Sequence, residues 1–170
     1  IKQYLDYFID AYLVEKSERY DIKGKKYIST PQKYYFTDLG LRNARLNFRQ
    51  QEETHIMENI VYNELLVRGY NVDVGIVDVF TRDSEGNRSR KQLEVDFICN
   101  KGSKKYYIQS AYQLGTEEKL AQEIRPFLKI NDSFKKIVIT SDTPKPCYTD
   151  EGILMMNVYD FLLNPEMIDL

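Results

Sequence analysis

The stretch Leu93–Gln113, LEVDFICNKGSKKYYIQSAYQ, decides how the rest of the chain is read. Two β-rich runs flank Asn100–Lys105. Gly102–Ser103 suits a two-residue hairpin loop, because glycine takes the positive φ that such turns require. With that loop as the turn, Asn100 faces Lys105, Asp96 faces Gln109 and Glu94 faces Ala111. Alternate side chains of a strand share a face, so Glu94, Asp96, Gln109 and Ala111 are predicted to form one patch on one side of a sheet. A carboxylate is costly on an apolar sheet face, and its presence there points to a site.

Working outward, Asn71–Phe80 alternates as a strand with Val72, Val74 and Ile76 on one face. Arg82–Arg90 reads as a polar hairpin tip at Gly86–Asn87, Gln92–Ile98 as the second strand and Lys105–Tyr112 as the third. Before them, Thr54 suits the cap of a helix from about His55 to Arg68, stopped by Gly69. Met57, Ile60, Val61 and Leu65 form its apolar stripe. Glu58 lies at the stripe's edge and Glu64 nearer the solvated side. Beyond the third strand, Thr116 suits the cap of a second helix, TEEKLAQEIRPFLKI. Leu120, Ile124 and Phe127 or Leu128 face inward there, and Pro126 kinks or ends the helix. Lys136–Thr140, KIVIT, is a continuous apolar run suited to a buried parallel strand. A loop follows, then a last strand over Ile153–Val158 and a helical turn over Tyr159–Leu163. Helix, three-stranded meander, crossover helix and strand predict a mixed α/β sheet.

The first third reads differently. Residues 1–13 are predicted helical, with Leu5, Phe8, Ile9 and Tyr12 toward a core. Val14–Asp21 suits a strand, Lys23-Gly24-Lys25 a turn, and Lys26–Thr30 a return strand ended by Pro31. A helix followed by a basic hairpin suits the end of a winged-helix domain. Two units are therefore expected, residues 1–38 and residues 39–170. Lys23, Lys25 and Lys26 are placed to touch phosphates, although a solvated hairpin tip is the commoner origin of such lysines. Tyr34–Phe36 reads as a short strand, Asp38-Leu39-Gly40 as a turn and Arg45–Thr54 as polar loop.

Composition narrows the class. In 170 residues, 42% are hydrophobic and 29% charged, which suits a packed domain. The net charge of −2 supplies no global field for nucleic acid. The charge is uneven, however: residues 1–50 carry net +4 and the remainder net −6, so the first third is the part that would attract a phosphate backbone. Cys99 and Cys147 form no CxxC pair, and no apolar run is long enough for a membrane span. With no signal peptide either, a reduced cytoplasmic protein without membrane contact is expected. The chain begins at Ile1, inside an amphipathic pattern, which suggests part of a longer protein. His55 has no partners at zinc spacing, and no GxxxxGK[ST] motif occurs, so ATP is not expected to bind within the 170 residues.

The order of these elements, with Glu58 on the first helix, Asp96 on the second strand and Gln109 where an E/Q-x-K element belongs, resembles the PD-(D/E)XK nuclease superfamily. More closely, YYFTDLGLRNA, MENIVYNELLVRGY, LEVDFICNKG and YYIQSAYQL resemble the C-terminal domain of many prokaryotic AAA+ family ATPases. The resemblance covers nearly the whole chain. It implies a restriction-endonuclease-like mixed sheet (αβββαβ) behind a partial winged helix, with an ATP-binding AAA+ domain of the same polypeptide as its partner. In the superfamily, carboxylates hold Mg²⁺ or Mn²⁺ and a lysine stabilises the transition state. Carried over, Glu58 and Asp96 are the metal ligands, with Glu94 as a third, and Gln109 stands at the E/Q position.

The catalytic lysine position is Ala111, and Gln109 carries no charge. Lys119 on the second helix is the candidate for a displaced lysine. Loss of one such donor costs on the order of a hundredfold in rate or more, so the leading reading is a degenerate, non-cleaving domain that binds nucleic acid or protein. A weak Mg²⁺- or Mn²⁺-dependent DNA or RNA nuclease is the alternative. A protein-interaction domain without nucleic acid is the third reading, consistent with the acidic balance of residues 51–170.

Overall fold

A computed structural model describes residues 2–49, 52–82 and 88–170. The expected tip at Gly86–Asn87 lies outside them. The elements are α1 (Lys2–Asp10), β1 (Val14–Asp21), β2 (Lys26–Phe36), α2 (Leu39–Arg45), α3 (Glu53–Val67), β3 (Asn71–Arg82), β4 (Arg88–Lys101), β5 (Lys104–Ala111), α4 (Glu117–Ile124), β6 (Lys135–Thr140), β7 (Cys147–Tyr148), β8 (Leu154–Asn157) and α5 (Val158–Leu163). Among the described residues the strands form one mixed sheet of eight in the order β2-β1-β3-β4-β5-β6-β8-β7. β3, β4 and β5 are an antiparallel meander, β6 and β8 continue it in parallel, and β1 joins β3 in parallel. The fold is mixed α/β. None of its helices is long and apolar enough to cross a membrane among the described residues.

The sheet is covered on both faces. Met57, Val61, Tyr62 and Leu65 of α3 and Phe161 of α5 pack with Phe97, Cys99, Tyr106 and Ile108. On the other face Ile124 of α4, with Phe127 and Ile130, packs with Val95, Ile98, Tyr107 and Ala111. The β4–β5 hairpin has the expected register, with Lys101 opposite Lys104 and Phe97 opposite Ile108. Gly102 takes φ +59 at the turn. Thr116 caps α4 by accepting from Lys119 N, and the helix ends before Pro126.

Several elements depart from expectation. The helix expected from His55 starts at Glu53, and its cap is Glu52 with no side-chain hydrogen bond, in place of Thr54. Leu39–Arg45 is a helix where a turn and loop were expected, because Asp38 accepts from Leu41 N and outweighs the poor helix propensity of Gly40. β2 is not ended by Pro31. From Ser17↔Lys33 to Arg19↔Ile28, β1 advances two residues and β2 five. Pro31 sits in that bulge on an edge strand, where its missing N–H breaks no ladder bond. The β1–β2 hairpin, expected as the wing of a separate unit, is hydrogen-bonded into the sheet through β1 and β3. α1 has no buried residue, so its apolar stripe does not meet the core.

Candidate functional site

Four elements converge near Asp96. On α3, Asn59 hydrogen-bonds both backbone groups of Phe36: its Oδ1 accepts from Phe36 N at 2.9 Å and its Nδ2 donates to Phe36 O at 2.7 Å. The helix is thereby pinned to β2, which sets Glu58 against Lys33 and Tyr35. Tyr35 donates its hydroxyl to Glu58 Oε1 at 2.7 Å and stacks on Tyr62 with ring centroids 3.9 Å apart.

On β4 a bulge sets the aim of Asp96. From Asp73↔Ile98 to Gly75↔Val95, β3 advances two residues and β4 three. The extra residue lies at Asp96–Phe97, and it changes which face the following side chains take. Gly75 opposite is tightly crowded: a Cβ there would lie 2.9 Å from Val95 Cβ. Asp96 therefore shares the α3 face with Phe97. Its Oδ2 accepts from Ser110 N at 2.9 Å, so a side-chain carboxylate stands in for a strand carbonyl.

This bulge corrects the expectation of one patch holding Glu94, Asp96, Gln109 and Ala111. Gln109 points to the α4 face, where its Nε2 donates to Glu123 Oε2 at 3.2 Å. Its Oε1 meets Asp96 only through the main-chain N–H, at 3.4 Å. Ala111 is buried in the α4-side core. Lys119, the expected displaced lysine, is exposed on α4.

The lysine at the acids is Lys33 of β2, which sequence reasoning missed. Its Nζ lies 2.9 Å from Glu58 Oε1, 2.7 Å from Glu94 Oε1 and 3.7 Å from Asp96 Oδ1. Arg19 of β1 adds a second cation, 2.9 Å from Glu94 Oε2. Glu58, Glu94 and Asp96 thus come together, around an ammonium group. The cations come from the basic first third of the chain and the carboxylates from the acidic remainder.

The electrostatics follow from burial and crowding. Burial and the nearby Glu58 charge push the Asp96 carboxyl up to about 7, against the pull of Lys33 and the Ser110 N–H. Burial alone would lower Lys33, but the charges of Asp96 and Glu58 and the hydrogen bonds to Glu94 and Glu58 outweigh it and hold the ammonium charged. Burial, then Glu58, raises Tyr35 well above the ordinary phenol range, so its hydroxyl stays a donor. Three carboxyl groups thus face two cations, Lys33 and Arg19, in one cluster.

In this arrangement an ammonium group stands where the resemblance would place a divalent metal. Mg²⁺ needs oxygen ligands at about 2.1 Å in octahedral geometry. The space between the three carboxylates holds Nζ of Lys33, and Asp96 Oδ2 and Glu58 Oε1 are already engaged. No group of three or more His, Cys, Asp or Glu side chains among the described residues is set to hold a metal ion.

The remaining expected site residues lie elsewhere. Lys23, Lys25 and Lys26 sit at the exposed β1–β2 turn, where Asp21 Oδ1 accepts from Lys23 N and Gly24 N. Lys23 Nζ donates to Asp78 O at 3.1 Å. His55 is exposed and pairs with Glu52. Glu64 pairs with Arg68 on the surface of α3, at 2.7 Å.

Fold and site define a mixed α/β domain with a lysine-closed carboxylate cluster beneath one helix. Residues 53–161 match the family model described as a domain of unknown function, DUF4143, and the chain belongs to that family. Residues 1–52 match a second model, also described as a domain of unknown function, DUF8612. The two matches meet at the start of α3. The chain is similar to an uncharacterized protein of Haemophilus influenzae, 36% identical over 163 residues, covering 96% of this chain and 36% of that protein. It is also similar to an uncharacterized protein of Methanocaldococcus jannaschii, 31% identical over 166 residues, covering 94% and 32%. The chain thus spans about a third of the length of the curated relatives it matches. No solved structure matches it.

Proposed function

We propose that this chain is a nuclease-like domain that has lost cleavage and serves as a binding module within a longer cytoplasmic AAA+ ATPase, of which it is the C-terminal part. ATP then binds in polypeptide outside these residues. The observation that carries the reading is Lys33 Nζ lodged among Glu58, Glu94 and Asp96. A carboxylate set neutralised by its own chain has little charge left for a catalytic cation. Ala111 at the lysine position and Gln109 on the far face support the same reading. Relatives about three times as long support the larger protein. The exposed lysines at 23, 25 and 26 are the proposed points of contact with nucleic acid.

One observation favours a second reading, residual Mg²⁺- or Mn²⁺-dependent cleavage of DNA or RNA: Lys33 brings to the acids the lysine that position 111 lacks.

The test is incubation with Mn²⁺ or Mg²⁺ and a panel of supercoiled, linear, single-stranded and branched DNA and RNA, with Asp96→Ala in parallel. The first reading predicts no cleavage by either protein, with folding checked by circular dichroism. Cleavage that Asp96→Ala abolishes would replace it with the second. Salt-dependent DNA binding that a Lys23/Lys25/Lys26→Ala variant weakens separates a nucleic-acid contact from a purely protein one.

A further inference from the structure

Apolar surface is distributed unevenly. Ten of the eighteen exposed large hydrophobic side chains among the described residues precede Arg49, in less than a third of the chain. Neither α1 nor α2 has a buried residue. Between them lies a groove of about 470 Å³ lined by Leu5, Phe8, Val14, Tyr34, Phe36 and Leu41. Helices of nine and seven residues are too short to hold themselves in water and need apolar cover. On α1 that cover is missing: Tyr4, Tyr7 and Phe8 are 68%, 56% and 46% exposed, and Tyr12 just beyond the helix is 78% exposed. An exposed apolar groove of this kind marks an interface.

We infer that this groove is the docking surface for further polypeptide of the same protein: a segment outside the 170 residues that presents an apolar ridge with acidic flanks. The inference rests on the proposed reading of the chain as one part of a longer protein. Two observations choose this occupant. The relatives carry roughly twice as much additional polypeptide as the chain itself covers, and a tethered segment meets the groove at high effective concentration. Arg45 is the charged residue in the groove's lining, so a second copy would bring two cations together, whereas an acidic-flanked segment is attracted.

The test is amide hydrogen exchange on the full-length protein and on the 170-residue chain, with the intact mass of the native polypeptide measured first. Amides of α1 and α2 are expected to exchange roughly tenfold or more slowly in the full-length protein. Phe8→Asp and Leu41→Asp are expected to remove that protection and leave β3–β6 protected as before. Equal exchange of α1 and α2 in both proteins would overturn the docking while leaving the longer protein standing. A native mass of 20.1 kDa would overturn both. Concentration-dependent dimerisation of the isolated chain, abolished by Phe8→Asp, would assign the groove to a second copy instead.

Discussion

Residues 1–52 and residues 53–161 use the same kinds of side chain to opposite ends. The second region turns Phe97, Tyr62, Leu65 and Ile137 into a closed interior. The first leaves Tyr4, Tyr7, Phe8 and Phe48 in contact with water. Charge divides the same way: the first region supplies Lys33 and Arg19, the second Glu58, Glu94 and Asp96. A region can therefore be essential to a site without owning a core. Residues 2–49 are held by β1 in the sheet, by Asn59 on Phe36 and by the salt cluster, while α1 and α2 bury no residue of their own.

The largest expected effect tests the closed interior. Phe97→Ala removes a fully buried ring packed on Tyr35 and Tyr62 and is expected to cost about 4 kcal/mol in denaturant unfolding. Phe8→Ala, by contrast, should cost under about 0.5 kcal/mol in this chain. Similar losses for the two would erase the distinction between the regions.

The next effect tests the charge division. Lys33→Met leaves three carboxylates facing one another with only Arg19 nearby, and about 3 kcal/mol of stability should be lost. The loss should be greater at pH 8 than at pH 5, because acid protonates the carboxylates that Lys33 no longer balances. A neutral result at pH 8 would mean that the cluster is solvated and not closed.

Asn59→Ala tests the link between the regions. It removes the two hydrogen bonds that Asn59 makes to the Phe36 backbone, while Asn63 Nδ2 still donates to Phe36 O, for an expected loss of about 2 kcal/mol. Exchange of β2 amides should rise while that of β5 and β6 stays unchanged.

The last test is a change in pH profile. The Asp96 carboxyl lies at about 7 in the fold, against an ordinary value of 3.8. Between these values the folded state keeps a proton that the unfolded chain has lost. This contribution to stability is complete below the unfolded value and disappears as pH rises through 7. Asp96→Asn should flatten the decline in unfolding free energy across that window. An unchanged slope would assign the decline to other groups.

Much of this was legible in sequence, for identifiable reasons. Gly102–Ser103 set the β4–β5 register because a two-residue loop leaves little choice of pairing. Glu58 and Asp96 stood out as carboxylates on apolar faces. Gln109 was misplaced because a bulge shifts a strand by one residue, and its trace in sequence was only Gly75, a glycine within a valine-rich strand. Lys33 was invisible because it lies far from Asp96 along the chain. It reaches the acids through the parallel β1–β3 pairing, and Pro31 made its strand look broken. α2 was missed because Gly40 weakened a helix that Asp38 caps.

In the proposed function, Lys33 closes the carboxylate cluster against a catalytic cation. Calorimetric titration of the chain with Mn²⁺ and with Mg²⁺, alongside Asp96→Ala, tests it most directly. No saturable binding by either protein is expected. Saturable binding by the native chain that Asp96→Ala abolishes would contradict it, and would make Lys33 a companion of the bound metal and not its substitute.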